Sequence, residues 1–358
     1  MATLVSVEPK VGMWLRSRNF DLVFILGIAF LALCVGAAAT QMPDIFRLLL
    51  LVDLWLLSFH HVVAAYSRLC FDARSFRAHQ FLVMGVPVIV LAGTCTLAFG
   101  VGLWSLMTIY LYWQWFHYTR QSWGIARAYQ RRTGELSSLE IQIGDLAMYL
   151  VPIWGILNRT AEQPARFLGL ELRVPPLPLE AAELAGIAAI VAVTGWSILR
   201  VWATFRGRPA SAYTLYVASH FVMFYVGYVL IDDLTTGWLA VNVWHNGQYL
   251  LFVWLHNNRQ YGGGQRVSAK LMSHICQERN AWLYVLVCLA ISTILYLGIR
   301  NFATTLAVGL IVTQTINYHH YIVDAIIWRR SRTRSRFPLH YLALRPRSVT
   351  KSEVPPVQ

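Results

Sequence analysis

Histidine, aspartate and asparagine occur inside long apolar runs that should exclude them. Asp53 and the pair His60-His61 lie in one run, His117 in a second and His220 in a third. A fourth run contains Trp244-His245-Asn246 and Gln248 and ends at His256; a fifth contains Asn317-Tyr318-His319-His320 and Asp324. An ionisable group in a membrane-spanning helix costs about 2.5 to 3.5 kcal/mol on insertion scales, so each is a candidate functional residue. Imidazole with carboxylate is a ligand set for iron, zinc, manganese or copper, whereas calcium and magnesium prefer all-oxygen shells. The candidate metal ligands are Asp53, His60, His61, His117, His245, His319, His320 and Asp324. That set exceeds what one tetrahedral zinc uses and leaves room for two metals or for partners that orient the ligands; two irons suit it.

Blander readings apply to several groups. His220, alone on an aromatic-rich face, reads better as a hydrogen-bonded interior histidine than as a ligand, and His79, His274 and His340 fall at or outside membrane edges. Adjacent side chains on a helix diverge by about 100°, so one histidine of each pair points inward; His61 and His320 are favoured. Gln248, Asn317, Arg120, His220 and His256 are expected around the ligands or along the substrate path. The aromatic stretch from Tyr110 to Tyr118 fits either a tunnel lining or an interfacial belt. Arg120, Gln121, Arg127 and His256-Asn257-Asn258-Arg259 fit either a site for a charged headgroup or redox partner, or positive-inside anchors. Gly262-Gly263-Gly264 lacks the spacing of a phosphate-binding motif.

The elements that must position these residues are membrane helices. Of the 358 residues, 57% are hydrophobic and 13% charged, where soluble domains run about 25% charged. Apolar segments fall at about 22–40, 45–66, 80–100, 102–119, 139–157, 181–204, 212–231, 238–256, 281–299 and 302–328, which predicts an all-α polytopic bundle of about ten spans over residues 1–328. The first run reaches spanning length and is read as a span rather than a cleaved leader. The five cysteines form no CxxC pair and predict no disulfide framework.

The formal charge of +13 is distributed by topology. Arg16 and Arg18 precede span one; arginines follow spans two, four, six, eight and ten; the intervening loops are short, acidic or, from Asn158 to Leu179, mixed. Both termini, and a basic tail over 329–358, are therefore expected in the cytoplasm, with the chain integral to a bacterial inner (plasma) membrane. Nucleic acid is not an expected partner. At 1.5 Å per residue, His61 lies roughly 10 Å from Arg68 and His320 roughly 14 Å from Arg329, which predicts one polar site in the cytoplasmic half. Asp53 and His60, seven apart, and His320 and Asp324, four apart, are expected to share helix faces.

A polytopic chain with cytoplasm-facing histidines and a lipid-sized apolar interior resembles in kind the membrane di-iron oxygenases, the fatty-acid desaturase and hydroxylase group. That group carries HxxxH and HxxHH boxes; this chain has only the bare pairs His60-His61 and His319-His320. A second resemblance in kind is to polytopic, histidine-dependent bacterial enzymes that cleave carotenoids. The resemblance implies an iron-dependent oxidoreductase using oxygen on a lipid-like substrate, with an electron-donor protein as partner. Two other readings remain open. Imidazoles from facing helices can ligate haem, and intramembrane Asp and His also form relays in proton- or metal-coupled transporters. Nearly apolar outer halves argue against a path open to both sides.

Overall fold

The computed structural model describes residues 13–133, 136–208, 211–263, 267–303 and 305–328; the basic tail over 329–358 lies outside them. It is an all-α helical bundle. Seven helices are long and apolar enough to cross a membrane, and the chain is an integral membrane protein: α1 (Arg18–Gln41), α2 (Pro43–Cys70), α3 (Phe81–Gly100), α5 (Ser138–Ala161), α6 (Leu179–Phe205), α7 (Ala212–Leu230) and α9 (Glu278–Asn301). Three more long helices, α4 (Leu103–Thr133), α8 (Leu234–Tyr261) and α10 (Leu306–Ile327), are not among these seven. Their sequences explain the difference from the ten expected spans. They carry Gln114 and His117, Asn242, His245, Asn246 and Gln248, and Gln314, His319, His320 and Asp324, all buried.

The packing hides those polar helices. α1 runs along α8, α3 along α10 and α9 along α2, while α5 pairs with α6 and carries α7 against it. Outward faces of the covering helices are apolar and exposed, with Phe30 at 70%, Phe99 at 78%, Leu184 at 67% and Ile294 at 72%. Apolar exposure on that scale suits contact with lipid. α8 is buried almost all round, through Trp238, Val241, Trp244, His245 and Val253. Gly237 of α8 meets Gly227 of α7 so closely that a Cβ built on Gly237 would lie 1.9 Å from the Gly227 carbonyl oxygen.

The arginine-rich segments gather at one end of the bundle. Tyr129 donates to Asp21 at 2.5 Å, Tyr261 to Asp72 at 3.2 Å, and Arg200 to Glu140 at 2.6 Å. The segment from Asn158 to Leu179, expected as a mixed loop, has structure at the opposite end. There two short strands, β1 (Arg166–Phe167) and β2 (Leu170–Glu171), pair antiparallel around Leu168 and Gly169, both at positive φ. Phe167 is fully buried, its ring edge-on to Trp238 at 5.6 Å. Arg159, also buried, donates to the backbone carbonyl of Asp232 at 2.8 Å and to that of Ile231, holding the α7–α8 turn.

Gly237→Ala forces a methyl into a backbone oxygen that no rotamer change can move, and is expected to destabilise the bundle by about 1 to 3 kcal/mol. A lowered midpoint of thermal aggregation in detergent, against an unchanged midpoint for Gly93→Ala, where a Cβ meets open space, checks this.

Candidate metal centre

Four of the inner helices each bring a histidine into one cluster of rings. α2 supplies His61, α4 His117, α8 His245 and α10 His320, all buried. The rings follow one another edge-on around a square: His61 to His320 at 4.5 Å, His320 to His117 at 5.2 Å, His117 to His245 at 5.3 Å and His245 to His61 at 5.1 Å between centroids. His61 and His117 face each other across it at 6.2 Å. Ligand atoms of His61, His117, His320 and Asp324 all lie within 4.8 Å of one another, a group that could hold a metal ion. Asp324 Oδ2 is 3.5 Å from His320 Nε2 and 3.9 Å from His117 Nε2. Those distances are too long for hydrogen bonds, yet fall between the ~3 Å and ~4.2 Å separations of two donors bound to one ion at about 2.1 Å each.

The Nε2 atoms of all four histidines are buried and have no hydrogen-bond partner. A buried polar nitrogen left without a partner costs about 1 to 3 kcal/mol. A bound cation would remove that penalty.

For His61 the tautomer follows from a chain of hydrogen bonds. Ser58 donates its hydroxyl to Asp53 at 3.0 Å, so its oxygen accepts from the amides of Asn242 and Asn246, each at 2.9 Å. Asn246 then turns Oδ1 toward His61 Nδ1 at 2.7 Å. Nδ1 must carry the proton, which leaves the Nε2 lone pair free to ligate, the usual outer-shell arrangement for a metal-bound histidine.

Helix geometry decides which member of each pair enters. In α2 the turn Leu54–Ser58 is π-helical and absorbs one extra residue. Everything beyond it is rotated by about 100°, so His61, eight residues from Asp53, takes the face that an unbroken helix would have given to His60. The expected pairing of Asp53 with His60 is therefore corrected. His60 Nδ1 bonds the Leu56 carbonyl at 3.2 Å, outside the cluster. His319 is likewise placed elsewhere, one nitrogen bonded to Tyr66 and the other to the Leu82 carbonyl at 2.7 Å. Asp53 lies outside the ligand group too, bonded to Asn242 at 2.5 Å as well as to Ser58.

No family model, curated protein or solved structure matches the chain. The site is accordingly read from its own chemistry.

The residues expected around the ligands scatter. His220 has both nitrogens engaged, by Ser122 at 2.8 Å and the Met148 carbonyl at 2.9 Å, as an interior histidine should. Gln248 accepts from Tyr216 at 3.0 Å, Asn317 donates to Gln314 at 3.2 Å, and His256 pairs with Gln260 at 3.0 Å. Arg120 turns to Tyr149 and the Trp123 ring, away from the cluster. Contacts to Asp324 come instead from Gln121 and from Tyr249, the latter at 2.7 Å. Both lie four residues beyond a cluster histidine, Gln121 after His117 and Tyr249 after His245, as Asp324 does after His320. This repeated spacing puts a polar residue one turn from three of the four histidines and is a sequence signal that points to Gln121 and Tyr249. Tyr118, Tyr249 and Tyr321 complete the wall, with rings 4.0 Å from His245, 4.3 Å from His61 and 4.5 Å from His117.

The half of the bundle nearer the hairpin, expected to be almost wholly apolar, carries polar groups. From Asp53 the hydrogen bonds continue through Asn242 to Tyr118 and Gln114, whose Oε1 accepts from Trp238 at 2.8 Å. Phe167 of the hairpin packs on Trp238 and closes that end.

Asn246→Leu removes the group that fixes the His61 tautomer and is expected to weaken metal retention by about 10- to 100-fold, while His319→Ala leaves it unchanged. Titration of each purified variant with a competing chelator provides the comparison.

Proposed function

We propose that the chain is a membrane-embedded non-haem metal oxidoreductase in which one iron, held by His61, His117, His245, His320 and Asp324, works with oxygen on a lipid-like hydrophobic substrate. The observation that carries this reading is the convergence of ligand atoms from His61, His117, His320 and Asp324, with the partnerless, buried Nε2 of His245 on the ring beside them. Five nitrogen and oxygen donors exceed the four of a structural zinc and match the borderline ligands of iron. Iron held by imidazole and carboxylate supplies oxygen activation and removal of hydrogen from unactivated carbon.

The chain's own residues do the rest. Asn246 holds His61 in the ligating tautomer. Tyr249 and Gln121 hold Asp324 by its two oxygens, so the carboxylate presents a fixed edge to the histidines. The tyrosine wall and the covering apolar helices exclude water, which suits a substrate drawn from lipid. In this reading all ten long helices cross the membrane and the arginine-rich end is cytoplasmic, where a donor protein with an acidic face would be steered to it.

One ion is preferred to the two that eight candidate ligands suggested, because Asp53, His60 and His319 sit outside the cluster and leave too few donors for a second. Haem fits poorly. Four imidazoles whose neighbouring rings stand 4.5 to 5.3 Å apart leave no slab between them for a porphyrin.

Elemental analysis of the detergent-purified chain with its ultraviolet–visible spectrum is expected to give about one iron per chain and no Soret band. Alanine at His61, His117, His245 or His320 is expected to abolish iron binding, whereas alanine at the exposed His274 leaves it intact. Full iron content in all four variants overturns the assignment, and a Soret band overturns it in favour of haem.

A further inference from the structure

Two hydrogen-bond donors beside the metal cluster have no acceptor. Arg68 lies seven residues beyond His61 on α2, on the same face and roughly 10 Å nearer the arginine-rich end. Its Nη1 is shielded from solvent, yet has no hydrogen-bond partner, and no carboxylate among the described residues lies within ion-pair distance of the side chain. The guanidinium sits 3.9 Å above the ring of Trp328, whose own Nε1 is also buried without a partner. His256 meets the same ring edge-on at 5.3 Å. Asp324, the carboxylate that faces this corner, already accepts from Tyr249 and Gln121 and lies beyond ion-pair distance of Arg68. A shielded guanidinium nitrogen and an indole N–H, neither with an acceptor at hydrogen-bonding distance, call for an anion.

We infer that Arg68 and Trp328, with His256 alongside, bind the anionic oxygen headgroup, carboxylate or phosphate, of an amphiphile. Arg68 supplies the charge and a planar pair of donors, Trp328 a further donor and an apolar surface against which the first carbons of the chain rest. Tyr249 links this corner to the cluster. Its ring stands 6.3 Å from Trp328 on one side and 4.3 Å from His61 on the other. A head held at Arg68 thus anchors an acyl chain about two helical turns from the four imidazoles. The anion site stands on its own observations. Its role as the anchor of the substrate rests on the proposed oxidoreductase.

The test is equilibrium binding of radiolabelled hexadecanoate, hexadecanol and phosphatidylglycerol to the delipidated full-length chain in a nonionic detergent, with iron content measured on the same samples. Hexadecanoate is expected to bind at about one per chain and about tenfold or more tighter than the uncharged alcohol, as a charge-assisted contact in a shielded site implies. Arg68→Gln should abolish that preference and Arg68→Lys should restore most of it. Arg77→Gln, also on the arginine-rich end, should leave it unchanged. Preference for phosphatidylglycerol over hexadecanoate, equally sensitive to Arg68, supports the anion site with a membrane lipid as occupant and removes the substrate anchor. Equal affinity for acid and alcohol, or an Arg68→Gln variant that binds like the native chain, overturns the inference. Iron content distinguishes the two proposals, since Arg68 variants should keep their iron even if headgroup binding fails.

Discussion

Asp324 is the group on which the interior depends. It accepts from Gln121 of α4 and Tyr249 of α8, and stands within 4 Å of Nε2 on His117 and His320. Three helices are tied together at one carboxylate. In a bilayer the alternative partner, water, is missing, so a carboxylate in a helix can be accommodated only where other helices bring donors to it. The crossing of α4, α8 and α10 is consequently set by hydrogen bonding, and the covering helices α1, α3 and α9 have only to present an apolar face on each side.

Much of this was legible in the sequence, and for identifiable reasons. Helical class, the apolar runs and the gathering of arginines at one end follow from hydropathy and charge, which act over whole segments. His61, His117, His245, His320 and Asp324 were among the candidates because polar residues in apolar runs are rare enough to stand out. The separation of His61 from His60 was not legible as geometry. It depends on the π-turn at Leu54–Ser58, and no residue in that turn advertises an extra member. His319 was equally opaque, since what removes it from the cluster is Tyr66 on another helix and the backbone carbonyl of Leu82. Arg120 is expected around the ligands, and Gln121 stands with it only among residues that fit a headgroup site or positive-inside anchors. In three dimensions the neutral amide, one turn beyond His117, is the one that reaches the carboxylate.

Asp53 has a different standing from the ligands. It fixes the orientation of Ser58 and, through Ser58, of two asparagine amides, so its effect on His61 is transmitted by hydrogen-bond direction rather than by proximity. The same carboxylate begins the row of polar groups that runs through Asn242 and Gln114 to Trp238. Phe167 closes that row with an apolar ring. The hairpin is short, with two residues in each strand. Its contribution is to seal the end of a polar row in an otherwise apolar bundle, which matters more in a membrane than its length suggests.

Assembly of the bundle and formation of the site are one event. α4, α8 and α10 are the long helices least suited to standing alone in lipid, because each carries buried polar groups that it cannot satisfy within itself. Asn242 and Asn246 of α8 need Asp53 and Ser58 of α2; Asp324 of α10 needs Gln121 of α4 and Tyr249 of α8. Once those pairs form, the histidines carried on the same faces are brought edge to edge with their Nε2 atoms inward. The Nε2 atoms of all four are among the buried polar atoms left without a partner, and His61, His117, His320 and Asp324 form a group that could hold a metal ion. The residues that make these helices poor membrane spans are thus the ones that specify how they pack.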